Sequence, residues 1–202
     1  MFVGNYVYAT MELSDLKKCV DSAISNCQEM LFANPNLVLS EGDFEKLLCK
    51  CIAEVLNYNP TEPGDSYTVH TQISHYMDGK IHSDMRVDIL LLQESKLRNC
   101  TKHKNFQYCG NSIAIELKYL HEKDDVGKVR CDFCKRKDLD ANSWLYVIVL
   151  MDFTEDGIDK FNKKKKIIDD YAQELYDWKE DCKENLFYQV LMKKPALPPI
   201  IL

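Results

Sequence analysis

Residues 112–119 read Ser-Ile-Ala-Ile-Glu-Leu-Lys-Tyr, an apolar run into which Glu116 and Lys118 are set two positions apart. The run is short and bounded by polar segments, the pattern of a central strand buried on both faces. An ionised carboxylate is costly in such a place unless a cation or a metal pairs with it. Successive side chains of a strand alternate faces, so Glu116 and Lys118 point the same way. Upstream, residues 86–92 (Arg-Val-Asp-Ile-Leu-Leu-Leu) pose the same problem with Asp88. If these two strands are neighbours, two carboxylates and a lysine converge at one end of a sheet.

Working outward, Tyr67–Met77 predicts a strand, with a turn signal at Asp78-Gly79-Lys80. The polar, basic segment Glu94–Asn111 reads as a long hairpin connection. Asp124–Leu139 is a helix candidate, and Ser143–Phe153 (SWLYVIVLMDF) is the clearest buried strand. A polar helix is expected from about Thr154 to Cys182, then a last strand at Leu186–Met192. Towards the N-terminus, residues 11–32 carry Leu13, Leu16, Val20, Ile24, Cys27 and Leu31 at helical spacing. A second helix, with Asp43 as its N-cap, runs to about Leu56 with a stripe of Phe44, Leu47, Leu48, Cys51, Ile52 and Val55. This order of elements calls for an α/β fold: a mixed central sheet flanked by helices. The expected organisation is a single domain over 1–202, with its core at about 43–153, a helical N-terminal extension (1–40) and a C-terminal helix and strand (154–202).

The chain is long enough, at 202 residues, to bury a core without disulfides. No apolar stretch approaches the roughly 18 residues of a membrane span, and the first ten residues lack the pattern of a signal peptide. A cytoplasmic protein with no membrane partner is expected. A formal net charge of −6 excludes coating of nucleic acid by bulk electrostatics, but not local binding aided by metal ions.

The chemistry suited to Asp88, Glu116 and Lys118 is phosphodiester hydrolysis. Hard carboxylate oxygens select Mg²⁺ or Mn²⁺; the metal lowers the pKa of a bound water and stabilises charge building on the phosphate. Lys118 would orient the water and help deprotonate it, or stabilise the phosphorane. One Asp on a strand, then Glu-x-Lys inside an apolar strand, then a helix and another apolar strand, resembles the PD-(D/E)xK nucleases, the restriction-endonuclease-like superfamily. The resemblance covers about Asp43 to Phe153. It departs at Val87, where the family motif has proline. It implies a restriction-endonuclease-like sheet, Mg²⁺- or Mn²⁺-dependent endonuclease activity with Asp88 and Glu116 as metal ligands, DNA or else RNA as partner, and a homodimer in some members. It also implies an acidic residue on the first core helix, for which Glu45 is the first choice and Glu54 the second.

Other features leave alternatives open. Cys131-Asp132-Phe133-Cys134, with Cys100 and Cys109, would supply four zinc ligands to an interaction protein, against free thiols as the plainer reading of nine cysteines. Lys128, Arg130 and Lys135, on the helix after the catalytic strand, are candidate nucleic-acid contacts; Lys163–Lys166 reads as a solvated face. An inactive nucleic-acid-binding module on the same fold is the remaining alternative.

Overall fold

The computed structural model describes residues 11–56, 67–77, 80–93, 97–100, 105–108, 110–139, 142–153, 157–178 and 184–193. In chain order the elements are α1 (Leu13–Ala33), α2 (Glu41–Leu56), β1 (Tyr67–Met77), β2 (Lys80–Gln93), β3 (Leu97–Cys100), β4 (Asn105–Tyr108), β5 (Ser112–His121), α3 (Gly127–Cys134), β6 (Ser143–Asp152), α4 (Ile158–Trp178) and β7 (Leu186–Lys193). Five strands form one mixed sheet in the order β1-β2-β5-β6-β7. The pairs β1–β2 and β2–β5 are antiparallel, whereas β5–β6 and β6–β7 are parallel. The connection expected over 94–111 carries a small antiparallel pair, β3 with β4.

Parallel neighbours need crossovers, and α3 and α4 supply them after β5 and β6. Both therefore cover one face of the sheet, while α1 and α2 cover the other. Alternation along β6 makes this possible: Tyr146, Ile148 and Leu150 join the core under α1 and α2, and Leu145, Val147, Val149 and Met151 join the core under α3 and α4. Because α1 sinks Leu16, Val20 and Ile24 into the same core as Ile115 of β5, α1 is part of a full layer of the fold rather than an appendage. Each such fully buried aliphatic side chain contributes about 1.5–3 kcal/mol. No helix among the described residues is long and apolar enough to cross a membrane.

Several boundaries differ from the sequence expectation: β2 begins at Lys80 rather than Arg86, and the bounds of α2 and α3 differ as well. The N-cap of α2 is Ser40, not Asp43. Ser40 Oγ accepts the Asp43 N–H at 3.2 Å, and its hydroxyl donates to Asp43 Oδ2 at 2.9 Å. The Leu39 N–H donates to the same carboxylate oxygen at 3.3 Å. Asp43, three residues into the helix, reaches back as the second half of a capping box. The helix expected over 124–139 is shorter: α3 tightens into a 3-10 turn at Lys135–Lys137. The next core residue, Leu139, lies six positions beyond Phe133, a spacing that three residues per turn returns to the core face and 3.6 does not.

Candidate active site

The ladder between β2 and β5 stops at Ile89↔Ile115. One step further, Asp88 and Glu116 stand level on the two strands. There Asp88 Oδ2 accepts the Leu117 N–H at 2.7 Å, so a side chain takes over a backbone donor at the point where the ladder ends. On the other side of β2, the register with β1 runs Thr71↔Ile89 and then Ile73↔Val87, which sets Gln72 level with Asp88. Gln72 breaks the strand locally, with a φ of 57° in the left-handed region. Its Nε2 donates to Asp88 Oδ1 at 3.2 Å and to Glu45 Oε2 at 2.7 Å. Glu45 thus reaches Asp88 through a glutamine that clamps both carboxylates without adding charge.

Glu116 is 1% exposed. Its Oε2 lies 2.6 Å from Lys135 Nζ, while Oε1 has no hydrogen-bond donor among the described residues. Burial pushes the Glu116 carboxyl up to about 8, against the pull of the Lys135 hydrogen bond and charge; Asp88 and Asp132 push it the same way as burial. Lys118 shares the face of Glu116, as alternation requires, and sits 3.5 Å from Asp132 Oδ2 and 3.7 Å from Glu41 Oε2. Burial works to lower its pKa, but Asp132, Glu41 and Asp88 together outweigh that and hold it above the usual lysine value.

Two helices close the cluster. From α3 comes Asp132, 6% exposed, its carboxyl raised by burial against the opposing pull of Lys118 and Lys135. Asp132 Oδ2 lies 3.5 Å from the Lys118 ammonium and has no hydrogen-bond partner among the described residues. Lys135, in the turn that follows α3, also donates to the Arg86 carbonyl at 2.9 Å and lies 3.9 Å from Asp132 Oδ1. From the first turn of α2 comes Glu41, which accepts the Tyr119 N–H at 3.2 Å besides facing Lys118. Glu41 and Glu45 are four apart and so share one side of α2.

Of the sequence candidates, Asp88, Glu116 and Lys118 are brought together, with Glu45 at one remove. Glu54 is not: it lies 3.8 Å from Lys50 on an exposed part of α2. Lys135, expected on a nucleic-acid-binding surface, is turned into the site instead, because Glu116 beneath it is a buried carboxylate in need of a cation. Lys128 is exposed on α3. Arg130 ties α3 to α4, bonding Glu174 at 2.8 Å and lying 5.6 Å over the Tyr171 ring. Cys131 is exposed and Cys134 half-buried, both as free thiols; Cys109 and the side chain of Cys100 lie outside the described residues. Among the described residues no three histidine, cysteine or carboxylate side chains form a ready-made metal cage.

Gln72, Glu41 and Asp132 escaped the sequence reading. Asp132 left a trace, being a charge three positions after Val129 on the stripe that also carries Phe133. Glu41 left only its place in a first helical turn, and Gln72 left nothing. Comparison with family models, with curated proteins and with solved structures found no match.

Proposed function

We propose that the protein is a divalent-metal-dependent nuclease of the PD-(D/E)xK, restriction-endonuclease-like type, acting on DNA. The observation that carries this reading is Glu116: a carboxylate buried in the centre of a sheet, level with Asp88, with one oxygen left without a donor. A buried polar atom of this kind costs stability unless something fills it, and its chemistry fits a hard cation. Mg²⁺ rarely needs a protein cage; one or two carboxylates, waters and substrate phosphate complete its shell. Asp88 and Glu116 would hold the ion, which when bound would supply an activated water and neutralise charge on the phosphate.

The chain's own residues do the rest. Gln72 and the Leu117 N–H fix both oxygens of Asp88, so this ligand is oriented before any metal arrives. Glu45, held by the same glutamine, adds negative potential beside the ion. Lys118 is kept as an ammonium by its carboxylate neighbours and would orient the water and donate to the phosphate. With a net charge of −6 the chain depends on such local positive charge to approach a polyanion.

A second reading draws on one observation. Lys118 and Lys135 already neutralise much of the acidic cluster, as a fold retained for nucleic-acid binding alone would also show. Incubation with linear, circular, single-stranded and branched DNA, and with RNA, in Mg²⁺ and Mn²⁺ separates the two. Cleavage that is lost in Asp88→Asn and Lys118→Ala supports the nuclease; binding without cleavage in the unmutated protein supports the binding module.

A further inference from the structure

Lys135 Nζ lies among three oxygens: Glu116 Oε2 at 2.6 Å, the Arg86 carbonyl at 2.9 Å and Asp132 Oδ1 at 3.9 Å. An ammonium has three donors and no acceptor. Here two of them tie the centre of β5 to the backbone of β2, two residues before Asp88. The consequence for Glu116 is asymmetric: Oε2 is engaged, while Oε1 is buried with no donor among the described residues. A carboxylate swings about its last bonds unless one oxygen is held. With Oε2 pinned, the rotation is arrested and Oε1 is the atom left to ligate.

We infer that Lys135 is a positioning residue for the metal site, holding Oε2 of Glu116 so that Oε1 is presented to a divalent cation alongside Asp88. The inference rests on the nuclease reading and deepens it: the site has a built-in cation that orients a ligand without being one. The structure also shows why a helix end does this work. Lys135 starts the 3-10 turn that closes α3, and its neighbour Phe133 is fully buried, so the stem of the lysine leaves a fixed point on the core. Asp132, three residues before it, faces both Lys135 and Lys118 and is an anion shared by the two ammonium groups.

The alternative for a lysine in this place is competition, in which its charge repels the ion and its removal tightens metal binding. The two roles predict opposite signs, which makes the test decisive. Mn²⁺ binding is measured by electron paramagnetic resonance and calorimetry, with no substrate present, for the unmutated protein, Asp88→Asn, Lys135→Met and Lys135→Arg. A ligand-orienting partner typically contributes about 10–100-fold in metal affinity. Lys135→Met is therefore expected to weaken Mn²⁺ binding by about tenfold or more, and Lys135→Arg, which keeps a cationic donor, to restore most of it. Urea denaturation of each variant verifies that the folded state is being compared. If Lys135→Met does not fold, Lys135→Gln, which keeps a donor without the charge, must still bind Mn²⁺ more weakly than the unmutated protein. Affinity unchanged or tighter in these variants, with Asp88→Asn still losing the ion, overturns the role of Lys135 and leaves the metal site standing. An unmutated protein that binds no Mn²⁺ overturns the nuclease reading and this inference with it.

Discussion

Two clusters of charge lie along β5, one at its carboxyl end and one at its centre, and they are built differently. In the first, Lys193 Nζ donates to Tyr119 Oη and to Asp152 Oδ2, both at 3.1 Å, and the Tyr119 hydroxyl donates to the same Asp152 oxygen at 2.6 Å. His121 adds its Nδ1 at 3.9 Å from Asp152. The parallel register sets His121, Asp152 and Lys193 level across β5, β6 and β7, so three strand ends are tied by side chains. In the second cluster, Glu116 Oε1 and Asp132 Oδ2 are buried and have no hydrogen-bond partner among the described residues. The first network is closed upon itself and reads as scaffold. The second leaves carboxylate oxygens open in a place where water is scarce, and the proposed cation site rests on that difference.

Mutation can break this comparison at either cluster. The largest expected effect is on chemistry at the open one. If the proposed nuclease reading holds, Asp88→Asn removes the charge of a proposed metal ligand at almost constant volume and should lower cleavage by about 10²–10³-fold or more, read from initial rates on DNA in Mg²⁺. Binding of the nucleic acid should persist, since a negative charge facing the phosphates is gone.

At the closed cluster the effect should fall on stability instead. Lys193→Met leaves Asp152 and Tyr119 without their cation. Breaking a buried pair costs about 3–5 kcal/mol, and the 29% exposure of the Asp152 side chain places this one at the lower end. Urea denaturation measures it. Cleavage at a temperature where the variant is folded should match the unmutated protein. A Lys193→Met protein that is fully stable yet inactive would reverse the assignment of the two clusters.

Glu116→Gln sharpens the comparison through pH. The folded carboxyl titrates near 8 against an ordinary 4.5, so the metal-free fold holds a proton that the unfolded chain has released between these values. The stability contributed by this group is therefore complete below about pH 4.5 and is lost as pH rises through about 8. Glutamine has no such proton to lose. In chelator, denaturation curves at pH 5, 7 and 9 should show the unmutated protein weakening with pH relative to Glu116→Gln, by at most about 5 kcal/mol over the window. A pH-independent difference would mean that Glu116 is already ionised throughout.

The smallest effect is expected at the edge of the site. Ser40→Ala removes the capping box that starts α2, the helix that carries Glu41 and Glu45, and should cost about 1 kcal/mol. If cleavage falls further than stability in this variant, the start of α2 is placing its carboxylates as well as holding the helix.

The sequence by itself determined the five strands of the main sheet and one row of the candidate site. Alternation and apolar flanks are properties of a few adjacent residues, so Asp88, Glu116 and Lys118 could be picked out before any pairing was known. The helix candidate at 124–139 was legible in the same way, although the structure ends it early in a 3-10 turn. Tertiary structure decided the partners. That Gln72 lies level with Asp88 depends on where the β1–β2 register falls, and no local pattern marks a glutamine for that place. That Lys135 is a neighbour of Glu116 rather than a surface cation depends on how the end of α3 docks over β5. Periodicity is short-range and is written into neighbouring residues, whereas register and docking are fixed by the summed packing of both cores, so they exist only once the chain has closed on itself.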